Sequence, residues 1–435
     1  MKNPELSSYV REQFPALEKR KNGYPIAYLD GPGGYQVPNQ VIKAMNNYMV
    51  NSNSNADAAY ETSRKTNEMI KRARQAFADF LSCLWDEVVF GANMTTLNFA
   101  LAQALMREMK AGDKVIITEI DHEANRAPWL GLQERGIRVE EVAFDPSTCA
   151  LDMDDFDRKL SPNTKVVACN YASNAVGTIS DVRRIIEIAH EIGAYTVVDA
   201  VHYAAHGPID VQAIGADFLL CSAYKFFGPH VGVMYAKKEV LARLEPMRVK
   251  PQHPYPPYKF ETGTLNHEGL AGVEAAVGFI ADTGKQFGDG FEKKMKGLEG
   301  RRRNIVGGLL AFEKYEQTLT EYLLGELARI PELRLYGPPP GYPRTSTISF
   351  AYTGYTPRIV VEYLDSKGIF VWDGDFFATT LVERLGLTDK GGLIRIGIAP
   401  YNTKQELRRV TELLKDKASL GEFAKEKVEK NGRKC

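Results

Sequence analysis

Cysteine is sparse in this chain: Cys83, Cys149, Cys169, Cys221 and Cys435 are the only five in 435 residues, odd in number and widely spaced. That excludes a disulfide framework or zinc-finger spacing and favours a reducing cytoplasm. Net charge is missing as well, with 55 Lys+Arg against 55 Asp+Glu. Without a basic excess, no bulk attraction draws the chain to nucleic acid or an anionic membrane. The longest apolar stretch, Leu270 to Ala281, is interrupted by Glu274 and is too short to span a bilayer. The start, Met1-Lys2-Asn3-Pro4-Glu5-Leu6, lacks the apolar core of a signal peptide. No internal repeat or low-complexity tract is present. What is present is ordinary globular composition, 44% hydrophobic and 25% charged. The length exceeds what one hydrophobic core supports, so the expectation is a soluble cytoplasmic protein of two domains, one large and one small.

From about residue 85 to 240, short β-branched runs alternate with amphipathic stretches. The spacing predicts strands at Glu87–Phe90, Lys114–Thr118, Arg138–Ala143, Lys165–Tyr171, Tyr195–Asp199 and Phe218–Ser222. Helices are predicted at Leu97–Met109, Ala124–Arg135 and Val182–Ile192, the last with Ile185, Ile186, Ile188 and Ala189 on one face. Such alternation with continuously apolar strands implies a mainly parallel sheet covered on both faces. A Pro-rich loop, Pro251 to Pro257, ends the pattern. Longer helices follow at Gly269–Ile280, Phe291–Tyr315 and Leu319–Ile330. A short α/β section comes next, with strands Ser346–Phe350 and Leu393–Gly397 and helices Pro357–Ser366 and Thr403–Leu414. The smaller domain is read from Lys285 onward, and the charged tail from Lys415 to Cys435 is expected to fray. Trp85, Phe99 and Phe350 are expected in the core.

Ligands of open parallel sheets sit beyond the carboxyl ends of the strands, so chemistry is expected among the residues at those positions. Asn93-Met94-Thr95-Thr96 opens a helix with small and hydroxyl residues, which suits either an anion site or a simple N-cap. Asp121-His122-Glu123-Ala124-Asn125 lacks the second histidine of a zinc-protease motif. Ser173-Asn174 reads as an ordinary turn. His202 and His206 stand four apart, but no carboxylate or cysteine has matching spacing, so surface or packing histidines are expected rather than a metal site. The decisive set is Asp199, ending one strand, together with Ser222-Ala223-Tyr224-Lys225-Phe226-Phe227-Gly228-Pro229 after the next. Apolar neighbours disfavour a charged Lys225 and make its amine nucleophilic. A reactive lysine, a carboxylate for a pyridine nitrogen and an anion site for a phosphate are together what pyridoxal 5'-phosphate requires.

On those residues the chain resembles the class V aminotransferase, cysteine desulfurase-like proteins, which are fold-type I pyridoxal phosphate enzymes. The similarity runs from about Tyr28 to Leu414. It implies a large cofactor-binding domain, 28–284, with a mainly parallel seven-stranded sheet flanked by helices. A smaller α/β C-terminal domain, 285–435, and an N-terminal segment, 1–27, packed on it complete the expectation. By resemblance, Lys225 bonds the cofactor, Asp199 meets its pyridine nitrogen, and His122 stacks on its ring. His202 and Asn174 reach its phenolic oxygen, while Ser222, Thr95 and the Met94 backbone hold its phosphate. Thr264, in Phe260-Glu261-Thr262-Gly263-Thr264, reaches the phosphate across a homodimer interface. Arg395, in Leu-Ile-Arg-Ile-Gly-Ile-Ala-Pro-Tyr-Asn-Thr, clamps the carboxylate of an amino-acid substrate, and Lys225, His122 and Asp199 form the catalytic group.

The chain departs from that pattern in three places. Tyr224 precedes the lysine where relatives often have His. Ala92-Asn93-Met94-Thr95 stands where the desulfurase type has a Gly-Thr-Thr run. In the loop Val371-Trp372-Asp373-Gly374-Asp375-Phe376-Phe377-Ala378, Phe377 takes the place of the desulfurase cysteine. A phenyl ring is no nucleophile, so persulfide chemistry is not expected. The remaining readings are a C–S β-lyase acting on cystine or a related sulfur amino acid, an aminotransferase or epimerase, and a non-catalytic cofactor-binding sensor. Trp372, Phe376 and Phe377 are expected to shape the substrate pocket. Asp373 and Asp375 are either solvated loop charges or a site for a second substrate amine.

Overall fold

The structure is a computed structural model and describes residues 5–432. Seven strands form its main sheet: β1 Val88–Gly91, β2 Lys114–Thr118, β3 Arg138–Val142, β4 Thr164–Asn170, β5 Tyr195–Asp199, β6 Phe218–Ser222 and β7 Gly232–Ala236. Their spatial order is β1-β7-β6-β5-β4-β2-β3. β2 to β6 pair with one another in parallel, whereas β7 runs antiparallel to β6 and β1. The strands read as unbroken apolar runs because both faces are covered. Phe90, Ile116, Val198, Leu219 and Val233 enter one core, and Val89, Val115, Val197, Leu220 and Met234 the other. The chain is thus α/β, with a seven-stranded sheet flanked by helices. β7 was missing from the sequence-derived strands.

A second sheet, antiparallel throughout, comprises β8 Leu333–Tyr336, β9 Thr347–Tyr352, β10 Trp372–Gly374 and β11 Leu393–Gly397, in the order β8-β9-β11-β10. Between the sheets run α1 His267–Phe287 and α2 Gly300–Leu327. The sequence-derived boundary at residue 285 falls inside α1. Segment 5–27 touches several elements: Arg11 pairs with Glu406 at 2.9 Å, and the Phe14 ring lies 5.4 Å from that of Phe279.

Four local expectations are corrected. The helix expected over 124–135 is broken into Glu123–Asn125, Ala127–Leu130 and Gly131–Arg135, because Pro128 cannot continue a helix from upstream. The two helices expected at 291–315 and 319–330 are one, α2. Residues 291–299 are turns, with Gly297 and Gly300 at φ +80° and +55°, and the polar stretch around Glu316 contains neither Gly nor Pro to stop the helix. Glu316 points inward instead of into solvent. The tail does not fray in its described part. Lys417–Gly432 is helical, Leu420 is buried and the Phe423 ring packs on Tyr363 at 5.6 Å. Cys435 lies outside the described residues, as do Met1 to Pro4. Finally, Phe350 is in the core, but Trp85 and Phe99 are 46% and 43% exposed. Among the described residues no helix is long and apolar enough to cross a membrane.

Candidate active site

The ends of β1, β2, β4, β5 and β6 open on one cavity. Met94, Thr95, His122, Asn174, Asp199, His202, Ser222 and Lys225 all line it, with Pro32 and Tyr224. Side chains scattered along the sequence from Met94 to Lys225 converge because parallel strands end on the same edge.

At the end of β1 the helix Met94–Met106 begins. Asn93 caps it, accepting from the Thr96 amide at 2.9 Å, and the Thr96 hydroxyl accepts in turn from the Asn93 amide at 3.4 Å. The Met94 amide donates to the Ser222 hydroxyl at 3.1 Å. The Thr95 amide between them has no acceptor among the described residues. This is an unpaired donor at the positive end of a 13-residue helix. Gly232 of β7 lets the cap sit this close, since a Cβ there would lie 2.2 to 2.6 Å from the Asn93 backbone.

Lys225 stands on the turn after β6, and its Nζ donates to the Pro32 carbonyl. Burial, followed by the nearby Arg395 charge, lowers its pKa to about 7. Asp199 accepts from the Val201 amide through Oδ1 at 2.9 Å. Burial raises its pKa to about 6, against the opposing pull of that amide and of Lys225. His122 is held by the Ala124 amide, which donates a hydrogen bond to its Nδ1 at 2.9 Å, and its ring lies 5.4 Å from the nearly parallel ring of Phe377. Burial and the Lys225 and Arg395 charges lower its pKa to about 4, so it is neutral at pH 7. Nε2 of His202 lies 3.0 Å from the hydroxyls of both Thr345 and Thr347, and burial drives this histidine neutral too.

His202 and His206 are not surface groups. Both are buried, and His206 is bonded to Glu316 at 2.7 Å and Tyr35 at 3.0 Å. Among the described residues no cluster of three or more His, Cys, Asp or Glu could hold a metal. Ser173-Asn174 does open a turn, closed by the Gly177 amide on the Ser173 carbonyl at 2.9 Å, and the Asn174 side-chain amide donates from it to the Phe376 carbonyl at 2.9 Å. Arg395 lines the outward continuation of the cavity together with Lys225 and His122. Its Nη2 donates to Asp30 at 2.8 Å and Nη1 to the Asn174 carbonyl at 3.1 Å, while Nε has no partner. Thr264 is not brought to this cavity. It lines a separate surface depression with Arg74, Trp85 and Glu261.

Sequence inspection missed Asp30 and Pro32. Their signal was the turn Asp30-Gly31-Pro32-Gly33-Gly34 at the start of the similarity, where Gly397 admits the Pro32 ring; a Cβ at 397 would meet it at 1.9 Å. It also missed Asp121, fully buried beside His122 with neither carboxyl oxygen hydrogen-bonded. Asp373 and Asp375 are both half-buried and engaged within the protein. Asp373 pairs with Arg358 at 3.2 Å, and Asp375 accepts from the Phe377 amide and the Thr379 hydroxyl at 3.0 and 2.9 Å.

Comparison with known proteins fits this arrangement. The aminotransferase class-V family model matches residues 27–298 and 305–410. The chain is 31% identical over 422 residues to a cysteine desulfurase of Synechococcus elongatus, covering 93% of this chain but 63% of that relative's length. It is 32% identical to an aminotransferase-like protein of Gibberella zeae, covering 92% and 96% of the two chains. The solved apo cysteine desulfurase of Thermococcus onnurineus superimposes with a TM-score of 0.83 at 25% identity, over 96% of this chain and 99% of the other. The chain therefore belongs to the aminotransferase class-V family, whose members use pyridoxal 5'-phosphate.

Proposed function

We propose that the protein is a pyridoxal phosphate enzyme that removes the α-proton of an amino acid and, without a thiol nucleophile, releases a sulfur group from its β-carbon. The observation that carries this reading is the pairing of a buried, weakly basic Lys225 with Arg395 in one cavity whose lining contains no cysteine. The loop 371–378 has none either. Cys169 and Cys221 are buried in strands, and burial raises both thiols well above their ordinary range.

The residues present fit the cofactor. The unpaired Thr95 amide, with Ser222, would hold its phosphate, Asp199 would meet the pyridine nitrogen, and neutral His122 would cover the ring. His202 and Asn174 would serve its phenolic oxygen, and Lys225 would bond its aldehyde. Thr264, remote from the cavity of its own chain, is read as serving the partner's site in a homodimer. When bound, the cofactor supplies a ring that accepts the electrons left at Cα.

Arg395 orients the substrate by its carboxylate, using donors that Asp30 and Asn174 leave open. Lys225, neutral above about pH 7, takes the α-proton onto Nζ. The electrons of the broken C–H bond become the Cα–Cβ double bond as the C–S bond breaks, and sulfur leaves with its electron pair and takes up a proton. Water then hydrolyses the product enamine to pyruvate and ammonia. The large domain 28–284, the small domain 285–435 with segment 1–27 against it, and the cytoplasmic setting belong to the same proposal.

The test is keto-acid release from cystine and from S-substituted cysteines by the purified holoenzyme. Pyruvate and ammonia without any second substrate support the lyase. Product that appears only with an added keto acid makes the protein an aminotransferase. Loss of optical rotation without release makes it an epimerase, and a spectral change with no turnover makes it a sensor.

A further inference from the structure

Beyond Lys225 the cavity widens toward solvent, and the walls of that mouth are aromatic. Phe99, Trp372 and Phe377 line it, 43%, 45% and 63% exposed. They come from two unrelated segments, the helix Met94–Met106 and the stretch formed by β10 and the loop after it, so no single amphipathic stripe explains them. The loop holds its rings against a backbone preference. Phe376 and Phe377 are both left-handed, φ +58° and +57°, a conformation that bulky residues rarely adopt and that persists where surrounding contacts enforce it. Here the enforcing contacts reach the large sheet: the Glu123 amide donates to the Phe377 carbonyl at 2.7 Å, and Asn174 to that of Phe376. Arg384, just past the loop, adds a two-pronged bond to Glu119 at 2.7 and 3.0 Å.

The carboxylates of the mouth are already engaged. Glu123 pairs with Arg126 at 3.1 Å, Asp373 with Arg358, and Asp375 caps the loop's own turn. The ammonium of cystine's second amino-acid head would meet only Asp375, whose oxygens already accept from the Phe377 amide and the Thr379 hydroxyl, and its carboxylate would meet no cation of the mouth beyond Lys225 and Arg395. An apolar far end would cover three exposed rings and gain the area-dependent stabilisation of that burial.

We propose that this mouth is a side-chain subsite for substrates ending in an apolar or aromatic group, of which an S-benzyl or S-alkyl cysteine is the type. It rests on the reading of the cavity as an amino-acid site. It replaces cystine as the preferred sulfur amino acid.

The experiment measures dissociation constants from the absorbance change of the holoenzyme on adding cysteine, S-methylcysteine, S-benzylcysteine, cystine and phenylalanine. S-Benzylcysteine and phenylalanine are expected to bind at least about tenfold tighter than S-methylcysteine and cystine. Phe377→Ala and Trp372→Ala, each on the exposed rim, are expected to shrink the S-benzyl to S-methyl ratio at least about fivefold. Cystine binding as tightly as S-benzylcysteine overturns the proposal, as does an unchanged ratio in both variants. Phenylalanine has no leaving group, so its binding reads the site without the elimination step. Tight phenylalanine binding with no pyruvate from any S-conjugate would therefore overturn the lyase reading and leave the subsite standing.

Discussion

Arg395 and Asp30 form an ion pair, Nη2 to Oδ1 at 2.8 Å, with the arginine side chain 2% exposed and its guanidinium carbon 4.3 Å from the centroid of the Phe376 ring. A buried guanidinium with a carboxylate on one donor and a ring on its face is fixed in orientation before any substrate arrives. The fork is thus pre-set, and the substrate carboxylate meets donors that need little rearrangement.

Replacing the fork while keeping the charge tests this. Arg395→Lys should raise KM for any amino-acid substrate by roughly 10- to 100-fold, because one or two charge-assisted hydrogen bonds are lost. The turnover number should fall less, since Lys225 is untouched. Steady-state kinetics separates the two, and an unchanged KM would remove Arg395 from substrate binding.

The acidity of Lys225 gives a pH signature in the cofactor-free protein. Burial, then Arg395, favours the neutral amine, and only that form attacks an aldehyde. The rate at which cofactor becomes covalently attached should therefore climb with pH through about 7 and level off above it. Lys225→Ala should abolish attachment. A rate still climbing toward pH 10 would mean an ordinary, solvated lysine.

The cap on the phosphate helix has a structural and a binding consequence. Asn93→Ala removes the acceptor for the Thr96 amide and should cost about 1 kcal/mol of stability. Because the neighbouring Thr95 amide loses its fixed direction, cofactor affinity should drop as well. Asn93→Asp, which keeps the acceptor, should restore the thermal midpoint. Calorimetry of the cofactor-free protein reads the first effect and a cofactor titration the second.

Much of the large sheet was legible because its strands are short, apolar on both faces and followed by polar residues. Tyr195–Asp199 and Phe218–Ser222 were placed to the residue. Legibility failed where tertiary contacts override local pattern. Glu316 looked like the end of a helix and is instead an inward member of the His206 cluster. Phe99 and Trp85 looked like core residues, since hydrophobicity alone does not say which face of an element is covered. Of the site, Lys225 and Asp199 stood out as chemistry at neighbouring strand ends. Asp30 did not, because its role depends on an arginine 365 positions away that only the fold brings near.

The least visible residue from sequence was Asp121, and it yields the sharpest stability test. Its carboxyl is fully buried, neither oxygen has a partner in hydrogen-bond geometry, and Thr118 lies near enough only to soften the effect of burial. Burial, and then the nearby Asp199, raises its pKa to about 8 from the usual 3.8. Between those values the folded state binds a proton that the unfolded state has lost. The stabilising contribution is therefore complete below the unfolded value, shrinks as pH rises from about 4 and is gone above about 8, with a slope approaching about 1.4 kcal/mol per pH unit. A neutral amide at this position takes up no such proton. The Asp121→Asn variant should therefore track the parent protein near pH 4 and grow steadily more stable than it up to pH 8. Thermal unfolding of both cofactor-free proteins at pH 5, 6, 7 and 8 measures the gap. A gap that stays constant across that range would mean that Asp121 is ionised in the folded protein throughout.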